Sequence, residues 1–203
     1  PETGCCTASD SEDARKVAAK LDIPYYVLDY TESFSEKVVD NFIDMYARGL
    51  TPNPCVECNR SVKFDHFLKQ AKKLNCDKVA TGHYAKVVEK DKTFELHKAD
   101  YLDKDQSYVL HMLTSSTLEH VMFPLGTISK PEVRQIAADL GLKTAFKKDS
   151  QDICFVGKKN YRNFVDKRID ISTSGEIVNS DGSSMGQHSG VHEFTVGQRK
   201  GIP

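Results

Sequence analysis

The sequence lacks any apolar run long enough to span a membrane. It also opens without the charged, apolar and small-residue pattern of a secretory signal peptide. Six cysteines without such a signal predict mostly reduced thiols, a cytoplasmic location and no membrane partner. The net charge of −1 excludes a strong overall basic character, which is the usual electrostatic mark of a nucleic-acid-binding chain.

A second CxxC pair is also missing. The one pair present is Cys55 and Cys58 in T51-P-N-P-C-V-E-C-N59. It supplies too few ligands for a structural zinc site, which needs about four. A thioredoxin-like redox pair would follow a first strand, whereas this pair follows a predicted helix and a T-P-N-P loop. The third interpretation is a reactive thiol, because Cys58 stands at a predicted helix start, where unpaired N–H groups stabilise a thiolate.

A third thiol, Cys154, lies about a hundred residues later in D149-S-Q-D-I-C-F155. Residues 143–168 around it are much richer in Lys and Arg than in Asp and Glu. Nearby basic groups favour the thiolate form, and a basic surface attracts phosphates. A buried thiol on an ordinary solvated face is the alternative interpretation of the same residues.

The pattern of apolar residues predicts the secondary structure. Strands and helices alternate up to about residue 145, which indicates a parallel α/β sheet of Rossmann-like type. The residues that follow are rich in Ser and Gly and contain short predicted strands. We therefore expect a first domain over 1–157 and the start of a small, β-rich central domain over 158–203. Helices are predicted over 9–21, 35–48, 59–74, 105–113 and 129–140, and strands over 25–28, 78–82, 84–89, 93–97, 176–178 and 192–196.

Two loop segments have the composition of ligand-binding sites. Gly82 ends a predicted strand and His83 follows it. The carboxyl ends of strands line the ligand crevice of open α/β sheets. A turn glycine and a surface histidine are the alternative. The segment 104–106 lies at the start of a predicted helix. Either Asp103 or Asp105 caps that helix, or Lys104, Asp105 and Gln106 have a binding role.

Taken together, these segments resemble the family of tRNA-specific 2-thiouridylases (MnmA, also called TrmU). The matching pieces occur in the family's order and cover nearly the whole chain: T51-P-N-P-C-V-E-C-N59 with K63-F64, A80-T-G-H-Y84, D103-K-D-Q-S-Y108, F123-P-L-G126, K130-P-E-V-R134, D149-S-Q-D-I-C-F155 and T195-V-G-Q-R-K-G201. The resemblance implies a partial ATP-pyrophosphatase domain of the adenine nucleotide alpha hydrolase (PP-loop) type, followed by a small tRNA-binding domain.

The same resemblance implies ATP-dependent 2-thiolation of the wobble uridine of tRNA, with adenylation of the C2 oxygen. It implies ATP with Mg²⁺, tRNA, a sulfur-relay protein or cysteine desulfurase as sulfur source, a transient disulfide and a monomeric protein. The implied residue roles are Cys58 as nucleophile, Cys154 as persulfide carrier, Asn53, Pro54 and Cys55 as target-base contacts, Gly82 as ATP contact, and His83, Lys104, Asp105 and Gln106 as tRNA contacts.

The sequence departs from the family pattern in two ways. The family's N-terminal S-G-G-x-D-S loop and C-terminal β-barrel are not found in it, so we expect no tRNA thiolation by these 203 residues alone. Cys55 stands where many relatives carry Asp, which allows a Cys55–Cys58 disulfide or a [4Fe–4S] cluster held by Cys55, Cys58 and Cys154. Two alternative functions are another PP-loop ATP pyrophosphatase and a cysteine-ligated iron–sulfur or redox module.

Overall fold

A computed structural model describes residues 8–149, 153–156, 161–169 and 174–202 of the chain. These residues form two compact units. The sheet unit comprises Ala8–Tyr30 and residues 55–149, and the aromatic unit comprises Thr31–Pro54 and the described residues from 153 to 202. The domain boundary expected after residue 157 divides the sequence differently and stays a prediction.

The described strands have two to six residues each, whereas the longest helices have about twenty. The strands are β1 (Val79–Ala80), β2 (Ala85–Lys90), β3 (Thr93–Lys98), β4 (Val121–Met122), β5 (Gly175–Val178) and β6 (Ser184–His188). The helices are α1 (Ala8–Lys20), α2 (31–47), α3 (54–73), α4 (Ser115–Leu118), α5 (Lys130–Asp139) and α6 (Tyr161–Asp166). Helix α2 includes a π-helical stretch, Ser35–Val39, and α3 a longer one, Cys58–His66. Single 3₁₀ turns occupy Leu102–Lys104, Ser107–Val109, Lys143–Phe146 and Val191–Glu193.

The sheet unit contains a parallel strand pair and a hairpin. β1 runs parallel to β4 with Val79 opposite Val121, and β2 pairs with β3 in antiparallel register. The two hairpin turn residues have φ angles of 49° and 61°, as a tight two-residue turn of the mirror-image type requires. The predicted parallel sheet and hairpin are therefore confirmed.

Apolar residues from the strands, from α3 and α4 and from the adjoining turns form the core of the sheet unit. Its buried members are Phe64, Ala85, Val109, Leu110, Leu118, Val121 and Phe123. Helix α5 begins as predicted: Ser129 caps it, Glu132 completes the capping box, and Gly141 follows its end with a φ of +64°. Among the described helices, none is long and apolar enough to cross a membrane.

An aromatic cluster forms the core of the aromatic unit. Phe42 and Tyr46 of α2 and Val165 of α6 are buried at its centre. Partly buried neighbours pack against them: Ile153, Phe155, Val156, Tyr161, Phe164 and Ile169. Strands β5 and β6 form an antiparallel pair with an irregularity at Ile177 and Val178, which confirms the predicted strand at 176–178.

Three predicted elements, at residues 25–28, 105–113 and 192–196, do not form in the structure. Residues 25–28 form no strand, and Tyr26 and Val27 expose 76% and 71% of their surface. An apolar run becomes a strand only where a neighbour supplies hydrogen-bond partners, and no described strand does so here. Residues 105–113 contain one 3₁₀ turn rather than a helix, and residues 192–196 contain the end of another rather than a strand.

Candidate functional site

Helix α3 carries the first two thiols. It begins at Pro54, whose fixed φ suits the first turn of a helix. Cys55 is therefore in the first turn and exposed, while Cys58 is half-buried one turn later, at the first residue of the π-helical stretch. The prediction that Cys58 stands at the helix start is wrong, because the proline loop joins the helix. The first-turn position, where the helix dipole acts, belongs to Cys55.

The residue after Cys58 anchors this helix inside the sheet unit. Asn59 is 2% exposed, and its side-chain amide donates a 3.0 Å hydrogen bond to the Val109 carbonyl. The Asn59 side-chain carbonyl oxygen is also buried and has no hydrogen-bond partner among the described residues. The sequence-based prediction gave Asn59 no role. Its position directly after the CxxC pair was the feature that could have indicated a structural role.

Gly82 lies just beyond β1 and is exposed. Its backbone does not adopt the left-handed conformation that favours glycine, and an added Cβ would meet only Leu125 Cδ1 at 3.8 Å. The fold itself therefore does not require glycine at this position. An open backbone at the carboxyl end of a parallel strand fits the close approach of a nucleotide.

His83, the next residue, is buried. Its Nδ1 shares a 2.7 Å hydrogen bond with the Thr81 hydroxyl, and its ring lies 6.0 Å from that of Phe64 and 5.9 Å from that of Phe123. Burial, assisted by the positive charge of Lys63, lowers its pKa from 6.5 to about 4. His83 is therefore neutral at physiological pH.

Two of the three side chains in the segment 104–106 form hydrogen bonds that organise the local loop. Asp105 accepts hydrogen bonds from the Ala99 N–H and the Ser107 hydroxyl. Gln106 accepts a 3.0 Å bond from the Tyr84 N–H through its side chain and donates its own N–H to the Tyr84 carbonyl. These bonds organise the loop and place it beside the A80-T-G-H-Y84 segment.

Lys104 instead belongs to a charge cluster centred on Asp149. The Asp149 carboxylate lies 3.0 Å from Lys104 Nζ, 3.1 Å from Lys130 Nζ and 3.3 Å from an Arg134 guanidinium nitrogen. Hydrogen bonds from the two lysines lower the pKa of Asp149 to about 2. Sequence reasoning assigned neither Lys130 nor Arg134 to the site, although both stand in the K130-P-E-V-R134 motif.

Cys154 belongs to the aromatic unit, where it is half-buried in a short turn. The next residue, Phe155, makes edge contacts with Phe34 and Phe42 and lies 5.3 Å, ring to ring, from Phe164. The thiol is thus held beside an aromatic anchor.

Of the expected base contacts, Asn53 is exposed and Pro54 is buried, both in the aromatic unit. The structure brings the Cys58 helix, Gln106 and His83 together within the sheet unit. In the described part of the chain, no three His, Cys, Asp or Glu side chains group closely enough to hold a metal ion. The iron–sulfur cluster that Cys55, Cys58 and Cys154 would hold stays a prediction, because Cys154 belongs to the other compact unit.

Comparison with known proteins defines the class. A family model described as the HUP domain of tRNA methyl transferase matches residues 1–158, and one described as the PRC-barrel domain matches residues 162–203. The chain thus combines a Rossmann-like HUP domain with a small barrel-type domain. Proteins named tRNA-specific 2-thiouridylase MnmA from Rickettsia peacockii (strain Rustic), Rickettsia bellii (strain OSU 85-389) and Rickettsia conorii (strain ATCC VR-613 / Malish 7) are each 48% identical over 202 residues.

The chain belongs to the MnmA family of tRNA-specific 2-thiouridylases. Each of these alignments covers 99% of the chain and 55% of the relative. The chain therefore spans about half the length of the curated relatives it matches.

Proposed function

We propose that this chain carries the sulfur-transfer residues of an enzyme that replaces the C2 oxygen of the wobble uridine of tRNA with sulfur. The observation that carries the proposal is the 48% identity, over 99% of the chain, to proteins named for this activity. The ordered motif set that contains Cys58 and Cys154 supports it.

ATP would supply an adenylyl group that turns the uridine C2 oxygen into a leaving group. Gly82 would let the nucleotide approach the backbone, because its position is exposed and has space beside it. His83 is neutral and buried, so a contact with tRNA would come from its backbone or follow a local rearrangement. Asn53, Pro54 and Cys55 would contact the target base, which must leave its stack to be reached.

Cys154 would carry the sulfur as a persulfide, loaded by a cysteine desulfurase or a sulfur-relay protein. The terminal sulfur would bond to C2 while the activated oxygen departs with AMP. Cys58 would then attack the sulfur of Cys154 itself. The bond between Cys154 and the transferred sulfur would break, leaving a thiocarbonyl on the base and a Cys58–Cys154 disulfide that an external thiol reduces.

The test is intact-protein mass spectrometry after incubation with a cysteine desulfurase and free cysteine. We expect a gain of one sulfur atom that is lost in Cys154→Ser and kept in the matched control Cys76→Ser, which changes an exposed cysteine outside the proposed chemistry. A different ATP pyrophosphatase would take up no sulfur. A gain that persists in Cys154→Ser would overturn the assignment of Cys154.

A further inference from the structure

The charge cluster around Asp149 carries more positive than negative charge. Three cationic side chains, those of Lys104, Lys130 and Arg134, converge on one carboxylate. All four groups are partly exposed, with side-chain exposures between 28% and 44%, so the cluster is open to a ligand. Two charges remain uncompensated within the cluster, and a surface of this kind attracts phosphate groups.

A buried hydroxyl at the same place independently indicates a ligand. Tyr84 is 5% exposed, and its hydroxyl has no hydrogen-bond partner among the described residues. The Lys130 ammonium lies 5.8 Å from the centre of the Tyr84 ring, and burial, assisted by the negative charge of Asp149, raises the pKa of the phenol. A buried O–H donor without an acceptor costs free energy, which a bound phosphate oxygen would recover.

We propose that Lys104, Lys130, Arg134 and the Tyr84 hydroxyl form a phosphate-binding site in which the Asp149 carboxylate stands in for the ligand. A carboxylate and a phosphate present similar oxygen acceptors to Lys and Arg, so one can replace the other. The phosphate is either a backbone phosphodiester of RNA or a phosphate of a free nucleotide. If the phosphate belongs to RNA, the site is part of the proposed function and rests on it. If the phosphate belongs to a free nucleotide, the site does not depend on tRNA.

The first experiment measures binding of a tRNA transcript and, separately, of ATP to the full 203-residue chain. The double variant Lys130→Gln/Arg134→Gln is compared with Lys72→Gln/Lys73→Gln, a matched loss of two exposed positive charges at the end of α3. We expect tRNA affinity to fall about tenfold beyond the control, and the slope of log affinity against log salt concentration to decrease by about one. A selective loss of ATP binding would instead identify a nucleotide phosphate.

The second experiment removes the competing carboxylate with Asp149→Asn. We expect this variant to bind the same ligand about threefold or more tightly, because no internal anion holds the cations. Tyr84→Phe, which keeps the ring and deletes the hydroxyl, should weaken binding. Circular dichroism establishes that each variant is folded, and if Asp149→Asn does not fold, the other two variants decide.

Three results would overturn the site. They are equal binding of either ligand by the Lys130/Arg134 variant and its control, weaker binding by folded Asp149→Asn, and no binding of either ligand by the wild-type chain. Sulfur loading of Cys154 requires no tRNA, so the mass measurement separates a failure of this inference from a failure of the proposed function.

Discussion

The Asn59 side-chain amide donates a hydrogen bond of 3.0 Å to the backbone carbonyl of Val109. This bond joins two sequence motifs that lie fifty residues apart along the chain. One end follows Cys58 on α3, and the other belongs to the 3₁₀ turn that follows Gln106. The orientation of α3, which carries Cys58, therefore depends on the loop that contains residues 104–106.

Replacing Asn59 with Ala should destabilise the sheet unit. The variant leaves the Val109 carbonyl buried without its donor, so we expect the free energy of unfolding to fall by about 1–3 kcal/mol. Urea denaturation followed by circular dichroism measures the change. The adjacent exposed variant Arg60→Ala loses only a surface ion pair with Glu57 and should change stability by less than about 0.5 kcal/mol. Similar losses in both variants would show that the Asn59 bond contributes nothing.

Two glycines should respond differently to substitution by Ala. At Gly126 an added Cβ would lie 2.0 Å from the Ala85 carbonyl oxygen, so the backbone would have to move. We expect Gly126→Ala to lower the unfolding free energy by about 1–3 kcal/mol or more. At Gly82 the new Cβ would make only an ordinary contact with Leu125, so stability should stay nearly unchanged while ATP binding weakens.

Thermal unfolding and calorimetric titration with ATP measure these two effects. Gly82→Ala with unchanged ATP affinity would remove Gly82 from the proposed nucleotide site. Gly126→Ala with wild-type stability would contradict the close approach of its backbone to that of Ala85.

His83 should make stability depend on pH between its unfolded and folded pKa values. The folded pKa is lowered from 6.5 to about 4, so between these values the unfolded chain binds a proton that the folded chain does not. Stability from this group is fully present above pH 6.5 and is lost as the pH falls to about 4, by up to about 3 kcal/mol.

The measurement is urea unfolding at several pH values for wild type and His83→Leu. His83→Leu should show a flatter dependence in this window. Parallel curves for wild type and His83→Leu would contradict the buried neutral imidazole.

Removing the Phe155 ring should make the segment that carries Cys154 less rigid and its thiol more accessible. Phe155→Ala deletes the ring contacts with Phe34, Phe42 and Phe164, so we expect a loss of about 2–4 kcal/mol and faster alkylation of Cys154 by iodoacetamide. Phe146→Ala is the control, because Phe146 exposes 81% of its surface. Peptide mass spectrometry locates the alkylated cysteine. An unchanged alkylation rate at Cys154 would show that Phe155 does not position it.

Local signals in the sequence were enough for several elements. The capping box of Ser129 and Glu132 predicted the start of α5, and Gly141 predicted its end. Alternating apolar residues around a polar turn predicted the β2–β3 hairpin. In each case the determining interactions lie within a few residues, so the local sequence contains the necessary information.

The sequence by itself determined the family, the order of the motifs and the elements whose caps and turns are local. Tertiary structure decided what depends on distant partners. Residues 25–28 have strand composition but lack a paired strand among the described residues, and Asn59 is buried only because Val109 accepts its hydrogen bond. The four charged side chains of the Asp149 cluster come from three separate segments of the chain. No periodicity in the sequence predicts this cluster, because ion pairs depend on distance in space and not on spacing along the chain.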